Sequence, residues 1–231
     1  MKTRFIVLVL ILLNISLLAQ STVNLSYSAD IVSRYMWRGL SIGNSPALQP
    51  SITLSLSNTS IGVWGSYPFA DQEKGLEEID IWISQQIKLE SLSLTPIITS
   101  YHYPSIGKRL LDFDKDNGAH TVEAGLKLTF SAIPLSFSGY YNLLNDSGNN
   151  TYFEIGYTTS INEISIDTFI GAAGGSEKNS LYYNSEKFSV INLGLKVYKE
   201  VKVSDIKFIT FASLIVNPRN DKANFVAGIT L

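Results

Sequence analysis

The chain of 231 residues contains no cysteine, only two histidines and few charged residues. Without cysteine it can form no disulfide, and no lipid can be attached through an N-terminal cysteine. Asp, Glu, Lys and Arg make up 16% of the residues, against roughly 25% in an average soluble domain. A soluble β-protein needs a more charged exterior to stay dissolved, so this composition argues against one.

The N-terminus has the pattern of a secretory signal peptide. Lys2 and Arg4 supply positive charge, an apolar run follows, and Ala19 provides the small residue of a cleavage site. We predict a signal peptide over 1–19 and one mature domain over 20–231, with an uncleaved anchor as the alternative. Loss of the two basic residues leaves 16 of the 18 basic residues against 20 acidic ones, which argues against nucleic acid as a partner.

Apolar and polar side chains alternate along most of the mature chain. The first segment places Leu25, Tyr27 and Ile31 on one face and Asn24 and Asp30 on the other. A period of two is that of a β-strand. About twelve such segments occur, and their length of about 9–11 residues suits a tilted membrane strand. We therefore predict an all-β fold, a transmembrane antiparallel β-barrel of about 12 strands.

The connections between these segments alternate between long and short. The long or polar connections are Leu40–Pro46, Asp71–Leu76, Pro104–Gly118, Asn145–Asn150, Gly174–Lys187 and Pro218–Lys222. The tight connections are Asn58–Ser60, Leu89–Ser91, Ser131–Ile133 and Asn162–Glu163. An outer-membrane barrel has short periplasmic turns and longer external loops. The alternation thus predicts the bacterial outer membrane, with its lipid and lipopolysaccharide as surroundings.

The alternation alone does not decide which face points inward. A membrane barrel turns its apolar face to lipid, whereas a soluble periplasmic barrel or sandwich, the alternative fold, turns it to a core. Two features favour the membrane barrel. The polar face is rich in Ser, Thr, Asn, Gln and Gly with few lysines, and aromatic residues such as Trp37, Tyr67 and Tyr101 cluster near the predicted strand ends, as at membrane interfaces.

Several short motifs resemble a known family. Ser28–Gly39, followed by Pro46–Gln49, is similar to the opening of the Gcw-chp family, a group of bacterial proteins of unknown function that are often regarded as porins. Glu78–Asp80, Tyr101–Pro104 and Glu123 are similar to later motifs of that family. The resemblance implies an outer-membrane barrel and a pore, and it supplies no catalytic residues.

Charged and aromatic side chains on the inward face are the predicted pore lining. These residues are Asp30, Arg34, Arg38, Asp80, Tyr101, Tyr103, Glu123, Lys127, Glu154, Asp167 and Lys196. With Lys207 the inward face carries five acids and five bases, which favours weak ion selectivity or salt bridges that close the lumen. Arg34 and Arg38 lie four residues apart, and Asp80 and Glu123 are their predicted partners.

The two histidines do not predict an enzyme. Hydrolases of the outer membrane pair a serine hydroxyl with a histidine base. Neither His102 nor His120 has a serine two residues further along the chain. The two histidines flank the longest loop and could approach each other at the extracellular rim, where ordinary surface roles are expected.

A weak calcium motif is the only cofactor signal. Asp112, Asp114 and Asp116 have the spacing of the first three ligands of a calcium loop, and Glu123 stands at the twelfth position. The glycine expected at the sixth position comes one residue late, as Gly118. A solvated acidic loop is the alternative.

The combined features predict an outer-membrane pore for passive diffusion of small polar solutes. Loop 104–118 is predicted to fold inward as a constriction or to cover the mouth. The alternatives are a non-conducting surface protein that binds a partner and, less favoured, a hydrolase at the rim. The number of subunits and the solute are left open.

Overall fold

The coordinates are a computed structural model. The structure describes residues 22–106, 109, 111–114, 118–146, 148–175, 183 and 187–231. The predicted signal peptide, 1–19, lies outside these residues, so its cleavage stays a prediction. None of the helices in the described part of the chain is long and apolar enough to span a bilayer.

The described residues form fifteen strands, twelve of them long, wherever the alternating pattern occurs in the sequence. The strands are β1 (Val23–Val32), β2 (Met36–Trp37), β3 (Leu40–Ser41), β4 (Ala47–Leu56), β5 (Thr59–Pro68), β6 (Glu78–Gln85), β7 (Ile87–Lys88), β8 (Leu92–His102), β9 (His120–Phe130), β10 (Leu135–Leu144), β11 (Thr151–Ile161), β12 (Ile164–Gly174), β13 (Ser189–Val203), β14 (Ile206–Asn217) and β15 (Lys222–Thr230). Single turns of 3-10 helix occur at Asp71–Glu73 and Pro104–Ile106.

The twelve long strands close into an antiparallel barrel, as predicted. Each long strand pairs with its neighbours along the chain, and β15 returns to pair with β1, where Asp30 stands opposite Thr230. Pairing of β6 with β8, with Asp80 opposite Tyr101, completes the ring. The short strands β2 and β3 form a separate hairpin. Closure satisfies the backbone groups of the paired strands within the ring, as a spanning barrel requires.

The outer surface of the barrel is apolar. Leu25, Ile81 and Leu126 are 58%, 41% and 43% exposed and point away from the lumen. Apolar side chains also line a groove of about 920 Å³ on the outer surface, formed by residues such as Phe153 and Ile170. The opposite face of the same strands carries the polar residues. This is the arrangement of a membrane barrel and the inverse of a soluble one.

The connections sort by length between the two ends of the barrel, in agreement with the sequence pattern. One end has tight turns in which Ser57, Asn162 and Ser204 adopt left-handed backbone conformations, with φ of 56°, 55° and 56°. The other end has the longer loops and the hairpin of β2 and β3. We call the long-loop end the extracellular end and the other the periplasmic end, after the rule for outer-membrane barrels.

Candidate functional site

The hairpin Met36–Ser41, which we call the lumen hairpin, folds into the extracellular half of the barrel. Its turn is made by Arg38 and Gly39, with φ of 47° and 80°. The turn presses on β13 so closely that a Cβ atom at Gly39 would lie 1.9 Å from the carbonyl oxygen of Ile191. The side-chain amide of Asn217 donates to the Gly39 carbonyl at 3.2 Å. Only glycine fits at this contact.

The Arg38 guanidinium is held by an ion pair and an aromatic cage. Its two terminal nitrogens donate to both carboxylate oxygens of Glu123, at 2.6 and 2.8 Å, and one of them also donates to the Tyr183 hydroxyl at 2.7 Å. Its central carbon lies 4.6, 4.2 and 4.6 Å from the ring centroids of Trp37, Tyr140 and Tyr152. A bidentate pair with cation–π contacts compensates the cost of burying this charge.

Neighbouring strands complete the polar network around this pair. Tyr101 donates its hydroxyl to Glu123 at 2.8 Å. On β11, Glu154 accepts hydrogen bonds from the Tyr152 hydroxyl and from the side-chain amide of Asn192 on β13. The lumen hairpin is therefore bonded to strands on several sides of the barrel at one level.

A second acidic group lies beside this network. Glu78 and Asp80 are two residues apart on β6, so both face inward, and they are 3% and 9% exposed. Oδ1 of Asp80 has no hydrogen-bond partner within the described part of the chain. Tyr35 packs on Trp64 next to this pair, with ring centroids 5.4 Å apart. The sequence prediction included Asp80 but missed Glu78, although the two residues share the strand period.

The predicted pore-lining residues separate into two levels. Eight of the eleven lie at inward positions of long strands: Asp30, Asp80, Tyr101, Glu123, Lys127, Glu154, Asp167 and Lys196. Arg34 and Arg38 lie between β1 and β3, and Tyr103 follows β8 beside Glu78. Lys127, Asp167 and Lys196 lie in the periplasmic half, away from the hairpin. That solutes pass these residues stays a prediction.

The structure contains one of the predicted ion pairs, that of Arg38 with Glu123, and a different partner for Arg34. Arg38 pairs with Glu123 as expected. Arg34 donates instead to the side-chain oxygen of Asn224 at 2.7 Å, because the chain turns into the lumen after β1 and brings Arg34 to β15. Among the described residues, the salt bridges include none to Asp80. Asp167 stands opposite Lys196 but accepts a hydrogen bond from Thr158.

Comparison with known proteins gives this chain a family. Residues 17–209 match the family described as "Bacterial protein of unknown function (Gcw_chp)". The chain is a member of the Gcw_chp family. No protein of curated function matches it in sequence.

Two solved porins share the fold of this Gcw_chp protein. The NanC porin, solved in a rhombohedral crystal form, is 11% identical and superposes with a TM-score of 0.55 over 89% of this chain and 98% of the porin. The KdgM porin, solved in complex with disordered oligogalacturonate, is 10% identical, with a TM-score of 0.50 over 90% of this chain and 98% of the porin. At this identity the likeness concerns the barrel architecture.

The described part of loop 104–118 packs on the outside of the Gcw_chp barrel, which differs from the first of its two predicted positions, an inward constriction. That the loop covers the mouth stays a prediction. Phe113 stacks on His120 at 4.1 Å between ring centroids, and His120 stacks on His102 at 4.9 Å. Both histidines occupy outward positions, because Thr121 and Glu123 on the same strand face the lumen. The lumen hairpin, formed by a different connection, already occupies the interior.

The two histidines approach each other as expected, and one of them also contacts a serine. Ser100 Oγ lies 2.7 Å from His120 Nδ1 across two strands, a pair that spacing along one strand could not reveal. His120 is 1% exposed between its two stacked neighbours. A substrate carbonyl cannot reach the ring in this arrangement.

The calcium motif does not assemble around Glu123. Glu123 faces the lumen and is bonded to Arg38, so it does not act as the twelfth ligand of a calcium loop. Oδ1 of Asp112 accepts a hydrogen bond from the backbone N–H of Asp114 at 3.2 Å. Asp116 lies outside the described residues. Over the residues that are described, no group of three or more His, Asp or Glu side chains could hold a metal ion.

One carboxylate fastens two extracellular loops at the mouth. Glu73, in the loop between β5 and β6, accepts from the backbone N–H groups of Asn44 and Ser45 at 2.6 and 3.1 Å, and from the Ser45 hydroxyl at 2.6 Å. These hydrogen bonds, led by the Ser45 hydroxyl, lower the pKa of Glu73, because they favour the charged form. The segment that follows the lumen hairpin is thereby fixed to its neighbour.

Proposed function

We propose that this Gcw_chp protein is an outer-membrane channel for passive diffusion of small polar solutes. The observation that carries the proposal is a closed barrel of twelve strands with an apolar exterior, a polar interior and a hairpin that narrows the lumen. A soluble carrier would expose the opposite faces. Solutes would move down their concentration gradient, and the lumen hairpin would set the size limit.

The comparisons support the same function class. NanC and KdgM are porins of the same architecture. The oligogalacturonate of the KdgM structure is a hydrophilic chain of sugar units, which supports small polar solutes as the class that this barrel would pass.

Export to the outer membrane is part of the proposal. The predicted signal peptide over 1–19 would direct the chain to the periplasm and be removed. Membrane fractionation and N-terminal sequencing test this, with Gln20 expected as the first residue of the outer-membrane protein. A protein that retains the apolar N-terminal run would contradict cleavage.

Single-channel recording in planar bilayers tests conduction and the role of the hairpin. The purified barrel is expected to give discrete current steps. The Gly39→Ala variant is expected to give larger steps, because the added Cβ would lie 1.9 Å from the Ile191 oxygen and force the hairpin off the wall. Gly75→Ala is the matched control, since Gly75 also has a positive φ, 108°, but a Cβ there would make only an ordinary contact with Ser105, at 3.6 Å.

The outcomes separate the proposal from its alternatives. Folded protein that gives no current at any concentration would remove the channel function. Equal conductance for both glycine variants and the unchanged protein would remove the hairpin from the constriction.

A non-conducting surface protein is the second candidate function. It is favoured by the firm attachment of the hairpin, since Arg38 is bonded to Glu123 and Tyr183 and caged by three rings. A liposome swelling assay with small sugars distinguishes the two functions. Absence of swelling with a folded, heat-modifiable barrel would favour the surface protein.

A further inference from the structure

We propose that the lumen of this barrel binds saccharides, and that the aromatic rings of Trp82 and Phe169 are the surfaces on which a sugar ring stacks. The inference rests on the proposed channel function and names the class of polar solute. It follows from the way in which these two inward side chains lie against the wall, just below the lumen hairpin.

Trp82 lies flat on the wall because its neighbour on the next strand is a glycine. It is at an inward position of β6 and in register with Gly62 on β5. A Cβ atom at Gly62 would lie 2.3, 2.4 and 2.7 Å from Cζ2, Cε2 and Nε1 of the indole. One face of the indole therefore rests on the backbone of β5, in the space that a side chain would fill. The other face is turned toward the lumen, and the residue is partly exposed.

Phe169 is placed in the same way on another part of the wall. It lies on β12 in register with Gly194 on β13. A Cβ atom at Gly194 would lie 1.9, 2.1 and 2.6 Å from Cζ, Cε2 and Cε1 of the phenyl ring, so the ring extends over the glycine. Around the twelve long strands, β6 and β12 are five strands apart in one direction and seven in the other. The two side chains thus stand on nearly opposite walls of the lumen.

Both rings lie on the periplasmic side of the contacts that surround the lumen hairpin. Trp82 is two residues further toward the periplasmic end than Asp80. Phe169 is two residues further in that direction than Gly171, over which the hydroxyl of Tyr152 lies. Tyr152 belongs to the aromatic cage that holds the hairpin. The two rings therefore flank the passage directly below the constriction.

The lumen-facing sides of these two rings carry no other ring and no cation. Within the described part of the chain, the aromatic and cation–π contacts involve neither Trp82 nor Phe169. The rings of the cage, in contrast, are occupied by the Arg38 guanidinium. Phe211, further along the wall, carries the ammonium group of Lys196 at 4.4 Å from its ring centroid. Trp82 and Phe169 thus offer a ring face to a solute.

A flat aromatic face with hydroxyl groups beside it suits a saccharide. The face of an aromatic ring is negative, so it attracts the C–H groups on the face of a pyranose ring. Thr99 on β8 is in register with Trp82, and Thr53 on β4 is in register with Gly62. Their inward hydroxyl groups can donate and accept hydrogen bonds, as the hydroxyl groups at the edge of a sugar ring require. An open-chain polyol has similar hydroxyl groups but no ring face to stack.

Interruption of single-channel current by cellobiose in planar bilayers tests the site, with sorbitol as the open-chain comparison. Cellobiose is expected to interrupt the current of the unchanged protein at concentrations at which sorbitol does not. Trp82→Leu and Phe169→Leu are each expected to raise the cellobiose concentration for half-maximal interruption by about threefold to tenfold, the size of one aromatic stacking contact. Phe137→Leu is the matched control, because Phe137 is on the outer face of β10, and it is expected to leave that concentration unchanged.

Two glycine variants test the flat placement of a ring without removing it. Gly194→Ala is expected to weaken cellobiose binding by a similar factor, because the added Cβ would displace Phe169 from the wall. Gly156→Ala is the matched control, since Gly156 is in register with Phe169 on the other side. The nearest atom to a Cβ there is the Ser136 hydroxyl oxygen, at 2.8 Å, which can rotate away.

Tryptophan fluorescence of the folded barrel in lipid vesicles measures binding without conduction. Cellobiose is expected to change the emission of the unchanged protein and not that of Trp82→Leu. A change that persists in Trp82→Leu, equal effects of cellobiose and sorbitol, or unaltered binding in Phe169→Leu would overturn the saccharide site and keep the channel. A fluorescence change without any current would overturn the channel and keep the site. Absence of both current and fluorescence change would overturn the two together.

Discussion

At the scale of single residues, Arg38 fixes the position of the lumen hairpin inside the barrel. It reaches from the lumen hairpin to Glu123 on β9, 85 positions further along the chain. A buried ion pair adds little net stability over a well-packed apolar pair, but the loss of one partner leaves an unpaired buried charge. The pair therefore specifies where the hairpin sits more than it stabilises the barrel.

Substitution of Arg38 alone is expected to lower the free energy of unfolding more than substitution of both Arg38 and Glu123. Arg38→Met should lower the free energy of unfolding by about 3–5 kcal/mol, because Glu123 is left buried without a cation. The Arg38→Met/Glu123→Met variant should recover most of this loss. Urea unfolding in lipid vesicles, followed by tryptophan fluorescence, measures both.

The exposed pair of Lys207 and Glu200 provides the control for that prediction. Its side chains are each 60% exposed, so Lys207→Met should change the free energy of unfolding by about 0–1 kcal/mol. An Arg38→Met effect as small as that of Lys207→Met would show that the buried pair is dispensable.

At the scale of elements, the lumen is narrowed by the short lumen hairpin and not by the described part of the longest loop, 104–118. The longest loop was expected to constrict the lumen or to cover the mouth, but Phe113 of its described part packs on the outer wall at His120. The short segment after β1 enters the lumen because a positive-φ turn and a glycine allow it to lie directly against β13.

Deletion of residues 108–116 is expected to leave single-channel conductance unchanged. The described part of this loop contacts the outside of the barrel, so its removal does not widen the lumen. Planar bilayer recording measures the effect, with Gly39→Ala as the positive control. A rise in conductance on deletion would mean that the loop reaches the lumen.

The Glu73 link between the extracellular loops is expected to weaken in acid. Its folded-state pKa is lowered by the Ser45 hydroxyl and by the Asn44 and Ser45 backbone N–H groups. A carboxyl group with a lowered pKa contributes stability that is present above its unfolded pKa of about 4.3 and is lost as pH falls through the lower folded value.

Amide chemical shifts measure this titration. The N–H resonances of Asn44 and Ser45 should titrate with an apparent pKa below about 4.3, and Glu73→Gln should abolish the titration. A midpoint at or above that of free glutamate would contradict the link.

At the scale of the whole molecule, the barrel is defined by the direction in which its side chains point. Outward positions such as Ile52 are apolar and exposed, while the adjacent inward positions such as Thr53 are polar. In a bilayer, the outward face is in contact with hydrocarbon and the inward face with water.

A lysine is expected to be tolerated on one face and not on the other. Ile52→Lys places a charge near the middle of the outer face and should lower the free energy of unfolding in vesicles by about 2–4 kcal/mol. Thr53→Lys, one residue further on the inward face, should cost much less. Comparable costs at both positions would contradict a lipid-facing exterior.

The alternation of residues along the chain determined the strand number, the closed barrel and the side chains that face outward, because each depends on local periodicity. Residues such as Glu123 and Arg38 could be predicted to meet because both were assigned to the inward face. Glu78 was available to the same reasoning and was missed. The pairing of Ser100 with His120 could not be found along one strand, since it joins two.

Only the tertiary structure decided what fills the barrel. The sequence shows a polar segment after β1 and a longer one after β8, and nothing local distinguishes the segment that enters the lumen from the one whose described residues pack outside. That choice depends on contacts between residues far apart in the chain: Gly39 against Ile191, Arg38 with Glu123, and Phe113 on His120. The physical reason is that a strand fixes the face of each side chain through its own period, whereas a loop takes its position from the walls it meets.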